Sequence, residues 1–380
     1  MTPAQRTAKD RRRPAWPMQH GFGLVELMVA IVVGMLAILV IYQTFAVSEG
    51  YRRNTVGASD AQQGGLFSML TAGIEIANAG NAVSLAAEEL SKCRPFATDP
   101  AATFQPIPVL ITAGATQDDP DSFVVTYSTT RSIVAPVNLL KKSSAANKLF
   151  VQSPNGFAVG NRVIAVQQST GKCAMSVVIN RAPKLAPAEA PRDGGEAELT
   201  LATNAAADLM GDADVDPARV LDMGPAANPQ RMLFDVVDGT LRTTDILTAG
   251  AGPVAIADNV VNMKLQYGID TTNPPDDIVD DWVPATDAWE RIALLAPAAL
   301  SAEQNLAKLR QIKAIRIGLI VRSSQYDRDV TGTTPWTLFD CPAHDATCPG
   351  RLTGALPANW RYRTYETVVP LRNQLWNGAT

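Results

Sequence analysis

The chain has 380 residues, enough for one large or two modest domains, and its balance of 46% hydrophobic and 18% charged residues is that of an ordinary globular protein. A formal net charge of −4 offers no general attraction to nucleic-acid phosphates, so no nucleic-acid partner is expected. The 26 glycines and 26 prolines, set among many short Val/Ile/Leu runs, point to strands joined by loops and away from a helical bundle.

Charge is concentrated at the start. Arg6, Lys9, Arg11, Arg12 and Arg13 crowd the first twenty residues, opposed there only by Asp10. Such a head stays on the cytoplasmic side of a membrane. Directly after it, Phe22 to Tyr42 is apolar apart from Glu26. At about 1.5 Å per residue this stretch spans roughly 30 Å of hydrocarbon, and no second stretch of that length occurs. One membrane span is therefore expected over 22–42, with everything after about Tyr51 across the membrane from the Arg-rich head, in an envelope compartment where disulfides persist.

The informative run is Gly21-Phe22-Gly23-Leu24-Val25-Glu26-Leu27-Met28-Val29-Ala30-Ile31. An acid at mid-membrane costs about 2.5–3.5 kcal/mol, and less near a helix end. Cutting between Gly21 and Phe22 gives Glu26 a partner, because the new α-amino group sits four residues away on the same helix face. An acid in the first turn also complements the helix dipole. A plain signal anchor, a secretory signal with Ala46 and Ser48 as its small residues, and a buried helix leave the Gly-Phe-x-x-x-Glu order unexplained.

This order resembles the leader of type IV prepilins: a small residue, the cut, Phe, then Glu at the fifth mature position. The resemblance implies a leader over 1–21, cleavage after Gly21 by prepilin peptidase, N-methylation of Phe22, and an apolar helix that packs into a filament with Glu26 setting its register. Met18 offers an internal start; the longer leader is favoured because it keeps the arginine cluster.

Past the span, apolar or small residues recur at helical spacing through Val47, Tyr51, Ala58, Ala61, Leu66, Leu70, Ile74 and Ala77. One helix is predicted from about Phe22 to Ala79, its second half laying this apolar face on a globular domain. Gly57, Gly64, Gly65 and Gly73 inside it mark local bending or close packing. From Asn81 the pattern becomes strand-like: Val109–Thr112, Ser122–Ser128, Arg162–Gln167, Met175–Asn180, Glu198–Ala202 and Met232–Val237, then Val261–Tyr267, Ala314–Arg322 and Thr364–Leu371. Asp238-Gly239 between Met232–Val237 and Thr240–Thr243 is a hairpin signal. The predicted class is α+β and pilin-like: a long N-terminal helix over 22–80, its first half in the membrane, packed on a large antiparallel β-rich domain over 81–380.

Several of these runs resemble the PilW-type minor pilins. Asp121-Ser122-Phe123-Val124-Val125-Thr126-Tyr127 is similar to an early strand of that family. Phe157-Ala158-Val159-Gly160-Asn161-Arg162-Val163-Ile164 is similar to another strand start, with Asn161 where an Asp is usual. Ala314 to Ser323 and Arg363 to Asn373 resemble its late strands. The resemblance implies a structural subunit, made without a cofactor, that joins other minor pilins, the major pilin and often a tip adhesin to prime pilus assembly, twitching motility and adhesion. A minor pseudopilin of type II secretion shares this architecture and is the alternative; a tethered envelope protein of other function is the more distant one.

Cys93, Cys173, Cys341 and Cys348 all follow the span, and four cysteines allow three connectivities. Pairing Cys341 with Cys348 closes a short loop, worth roughly 2–3 kcal/mol by chain entropy; Cys93 then meets Cys173. The spacing is not that of a zinc site.

No enzyme is expected. His20 and His344 are the only histidines, and no nucleophile elbow, phosphate loop or zinc-protease motif occurs. Gly250 to Ala255 mimics a dinucleotide loop, but Pro253 makes it a turn. Asp212-Ala213-Asp214-Val215-Asp216 opens like an EF-hand, yet Pro217 and Met223 fall where Gly and Glu are needed. Asp276, Asp277, Asp280 and Asp281, with Asp270 upstream, form the one weak calcium candidate; solvated loop acids are the default reading.

Overall fold

A computed structural model of the protein describes residues 21, 23–90, 107–130, 135–141, 146–152, 156–167, 173–183, 197–203, 218–248, 250–295, 302–326, 331–340 and 350–375. The chain divides into two compact units, 1–56 and 57–380. Helix α1 (Leu24–Asn78) contributes to both, within the boundaries the sequence predicts.

In the first unit, the large apolar side chains of α1 are exposed, from Leu24 at 77% to Val47 at 59%. Two hydroxyls bond back within the helix: those of Thr44 and Thr55 donate to the carbonyls of Val40 and Tyr51, at 2.8 and 2.9 Å. This is the only described helix long and apolar enough to cross a membrane.

In the second unit, α1 buries Gly57, Ala61, Gly65, Ser68, Ala72 and Ile76. Steps of three and four keep these residues on one face. The face differs from the predicted one, because Leu66, Leu70 and Ile74 point to solvent at 54%, 61% and 51% exposure. The reason is close approach. A Cβ on Gly65 would stand 2.2 Å from the Tyr365 ring, and the Tyr365 hydroxyl donates to the Ala61 carbonyl at 3.4 Å. Only small residues allow a helix to lie that near an aromatic side chain.

After the short helix α2 (Ala87–Leu90), β1 (Val109–Thr112) and β2 (Ser122–Thr126) form a hairpin. The chain then leaves the sheet to build a closed six-stranded barrel from β3 (Val137–Lys141), β4 (Lys148–Val151), β5 (Asn161–Gln167), β6 (Cys173–Pro183), β7 (Ala197–Leu201) and β8 (Ala218–Pro225), in the order β3-β4-β7-β6-β5-β8. It returns as β9 (Arg231–Val237), which pairs directly with β2, Phe123 opposite Phe234 with rings stacked at 4.7 Å. The barrel is thus inserted between two neighbouring strands of one sheet. Leu149, Val151, Phe157, Val163, Val178, Leu199, Leu201 and Val220 fill a core of its own.

That sheet is completed by β10 (Thr240–Asp245) and β11 (Val254–Asp258). The β9–β10 turn has positive φ at both Asp238 and Gly239, the conformation that the Asp-Gly signal predicts. A second sheet holds β12 (Val260–Ile269), β13 (Asp281–Pro284), β14 (Ile312–Arg322) and β17 (Tyr362–Pro370), in the order β13-β12-β14-β17. Helices α3 (Arg291–Leu295) and α4 (Ala302–Arg310) precede β14, and α5 (Arg372–Leu375) follows β17. The hairpin of β15 (Thr333–Leu338) and β16 (Leu352–Pro357) covers the outer face of β14, where Trp336, Leu338 and Phe339 close over Ile320.

The two sheets and α1 share one core, in which Ile76, Phe123, Phe234, Tyr267, Ile317 and Leu319 are almost fully buried. A charged joint links the sheets. The Asp121 carboxylate, just ahead of β2, accepts the Leu265 N–H at 2.9 Å, the Gly114 N–H at 2.9 Å and the Lys264 ammonium at 3.1 Å.

Candidate functional site

Glu26 lies in the first turn of α1, where the free N–H groups of the helix start favour an acid. Its surroundings are Leu24, Val25, Leu27, Met28 and Val29, all more than half exposed. Gly21 and Gly23 are described and have open space where a Cβ would sit; Phe22 lies outside the described residues. The leader 1–20 lies outside them too. The arrangement is an acid at the tip of an uncovered apolar rod, suited to association and carrying no group for covalent chemistry.

Of the four cysteines, Cys93, Cys341 and Cys348 lie outside the described residues. Cys173 opens β6, is buried and is disulfide-bonded. It belongs to a small core cluster with Ala82, Val83, Ala86 and Leu90, the segment that follows α1.

The acids of the weak calcium candidate are engaged within their own loop. Asp270 accepts the N–H groups of Thr272, Asp276 and Asp277 at 3.1, 3.1 and 2.8 Å, and the Thr272 hydroxyl at 2.6 Å. Burial pushes the Asp270 carboxyl up, but those hydrogen bonds and the charge of Lys313 hold it below the usual carboxylate range. Asp280 accepts the N–H groups of Thr271 and Thr272, Asp276 that of Ile278, and Asp281 that of Trp282. Asp277 pairs with Lys313 at 2.5 Å. These oxygens are taken up by the loop's own N–H groups and by the Thr271 and Thr272 hydroxyls. Among the described residues no group of three or more His, Cys, Asp or Glu is placed to hold a metal.

A polar centre that pattern reasoning missed sits where the barrel joins the first sheet. Asp222 on β8 is 1% exposed, and its carboxylate accepts both contacts of the Asn161 amide at 3.1 and 2.9 Å, the Thr130 hydroxyl at 2.8 Å and the Gly224 N–H at 3.0 Å. Burial raises its pKa despite these donors. Its trace in the sequence is Asn161, where an Asp would set a second carboxylate facing Asp222.

Comparison with known proteins follows the same geography. Residues 16–42 match the prokaryotic N-terminal methylation motif, a segment that contains Gly21, Phe22 and Glu26. A methylation motif at the head of an uncovered apolar helix, followed by a β-rich domain, defines a pilin-like protein. Residues 235–373, from the end of β9 into α5, match the type IV pilus-assembly protein W family. These two matches, which together cover less than half of the chain, support a PilW-type pilin. Among solved structures it is similar to the type IV-like pilin TTHA1219 from Thermus thermophilus, at 13% identity and a TM-score of 0.23 over 57% of this chain and 85% of that one. No curated protein matches. The barrel, 137–225, falls outside both matched segments.

Proposed function

We propose that the chain is a minor pilin that helps initiate type IV pilus assembly and joins other minor pilins, the major pilin and a tip adhesin. In this reading it enters the inner membrane as a prepilin through residues 22–42, with residues 81–380 as the periplasmic domain, and prepilin peptidase removes residues 1–21. The observation that carries the reading is Glu26, an acid in the first turn of an apolar helix whose large apolar side chains over 24–47 are exposed among the described residues. Helix packing with neighbouring subunits supplies the assembly free energy, and the Phe22 amine of the processed chain meets Glu26 in a low-dielectric setting to set register. Cys93 pairs with Cys173, a choice supported by Leu90 and Cys173 sharing one core cluster, and Cys341 pairs with Cys348.

Two measurements test it. N-terminal sequencing of the mature protein should begin at N-methyl-Phe22. Glu26→Ala should leave membrane insertion intact and reduce pilus numbers at least several-fold; wild-type numbers in that variant sink the register role.

A further inference from the structure

Where the chain enters the second unit, at Gly57, a Cβ would meet the Gln325 side chain at 3.1 Å and Ser323 at 3.6 Å. The segment after β14 therefore lies against that entrance. The Ser323 N–H donates to the Arg361 carbonyl at 2.7 Å, and the Arg361 N–H to the Ser323 hydroxyl at 3.3 Å, which stitches this segment to the start of β17. Around the seam Arg322 stacks on the Trp360 ring at 4.3 Å, and Tyr326 meets the same ring edge-on at 5.2 Å. Tyr326 is 53% exposed, and Arg361 and Arg363 are exposed. Arg363 lies on the α1 side of β17, two residues from Tyr365 on the same strand face. Among the described residues none of the three arginines has a carboxylate within ion-pair distance, whereas Arg242 is paired with Asp235 at 2.7 Å and Arg351 with Asp340 at 3.3 Å.

At this end of the sheet Arg322 stacks on Trp360 on the outer face and Arg363 lies on the α1 side, and among the described residues neither these nor Arg361 is paired with a carboxylate. With an exposed Tyr they are the residue types that seat at a membrane interface, the aromatic rings at headgroup depth and the arginines on lipid phosphates. Their place in the chain favours that partner. Residues 43–56, fourteen in number, separate Tyr42 at the end of the span from Gly57. Even fully extended they reach at most about 50 Å, so the headgroups of the membrane holding the span are present at high effective concentration. A weak site then suffices.

We propose that Arg322, Tyr326, Trp360, Arg361 and Arg363 form a docking surface for the anionic headgroups of the membrane in which the chain is anchored, occupied before the subunit leaves for a filament. The proposal rests on residues 22–42 spanning that membrane.

The test is hydrogen exchange on the full chain reconstituted into vesicles of phosphatidylcholine alone or with about one-third phosphatidylglycerol. Amides of 323–326 and 359–363 should exchange more slowly on the anionic vesicles only, and about 0.5 M salt should abolish the difference. Arg361→Gln with Arg363→Gln, both on the surface, should weaken docking about 25-fold, fivefold for each arginine. Exchange at β12 and β14 reports whether that variant is folded. Equal exchange on both vesicle types, or the same slowing from inorganic phosphate added to neutral vesicles, overturns the proposal. Co-flotation separates the two ideas: a chain that floats with both vesicles but shows no slowing keeps its anchor and loses the docking surface, whereas one that floats with neither loses both.

Discussion

Asp121 and Asp222 are both buried carboxylates, and both sit at joints of the globular domain. Asp121 fastens one sheet to the other and has a cation, Lys264, at 3.1 Å. Asp222 fastens the inserted barrel to the first sheet using only neutral donors from Asn161, Thr130 and Gly224. The joint within the pilin frame therefore compensates its buried charge, and the joint of the insertion does not. The consequence at the second is a pH response. Because burial raises the folded-state pKa of Asp222, the unfolded chain loses its proton first as pH rises. Stability contributed at this site therefore falls with rising pH, from the ordinary carboxylate value up to the raised one, and is level beyond it.

This contrast is open to direct attack. The largest effect is expected from Lys264→Met, which strands Asp121 and should cost about 3–5 kcal/mol in denaturant unfolding of the detergent-solubilised protein. Adding Asp121→Asn should restore much of it, and a double variant no better than Lys264→Met refutes the charge argument. Next comes Asn161→Asp, which sets a second carboxylate against Asp222. A loss of roughly 2–4 kcal/mol is expected at neutral pH, regained on acidification as one of the two takes up a proton. A pH-independent loss points instead to packing, and Asp222→Asn should flatten the fall in stability described above. Gly65→Ala forces a methyl onto the Tyr365 ring and should cost about 1–3 kcal/mol by thermal unfolding. Smallest is Leu70→Ser on the outward face of the same helix, expected within about 0.5 kcal/mol of wild type. A larger loss there indicates that Leu70 is covered after all.

Much of the frame was legible in the sequence. The Gly-Phe-x-x-x-Glu run, the single apolar stretch and the 55-residue helix follow from local composition and periodicity. So do most strands of the two sheets, because β-branched runs such as those of β12 and β14 form buried strands wherever they are placed. The inward face of α1 was not legible. Periodicity identified a stripe of Leu66, Leu70 and Ile74, while the stripe that touches the domain is the one with glycine and alanine, chosen by the Tyr365 side chain 300 residues away. The bonding of the loop acids was not legible either: carboxylates close in sequence resemble a ligand set, whereas their oxygens accept from nearby backbone N–H groups.

By itself the sequence determined the long apolar stretch, its first-turn acid, the methylation motif and the alternation of strands, all properties of neighbouring residues along the chain. Only the tertiary structure decided that residues 137–225 close into a barrel, that β2 and β9 pair across it, and which buried acid receives a cation. Those outcomes depend on pairings between residues far apart in sequence. Such pairings are chosen by shared burial and hydrogen bonding once the chain has folded, and no local pattern encodes them.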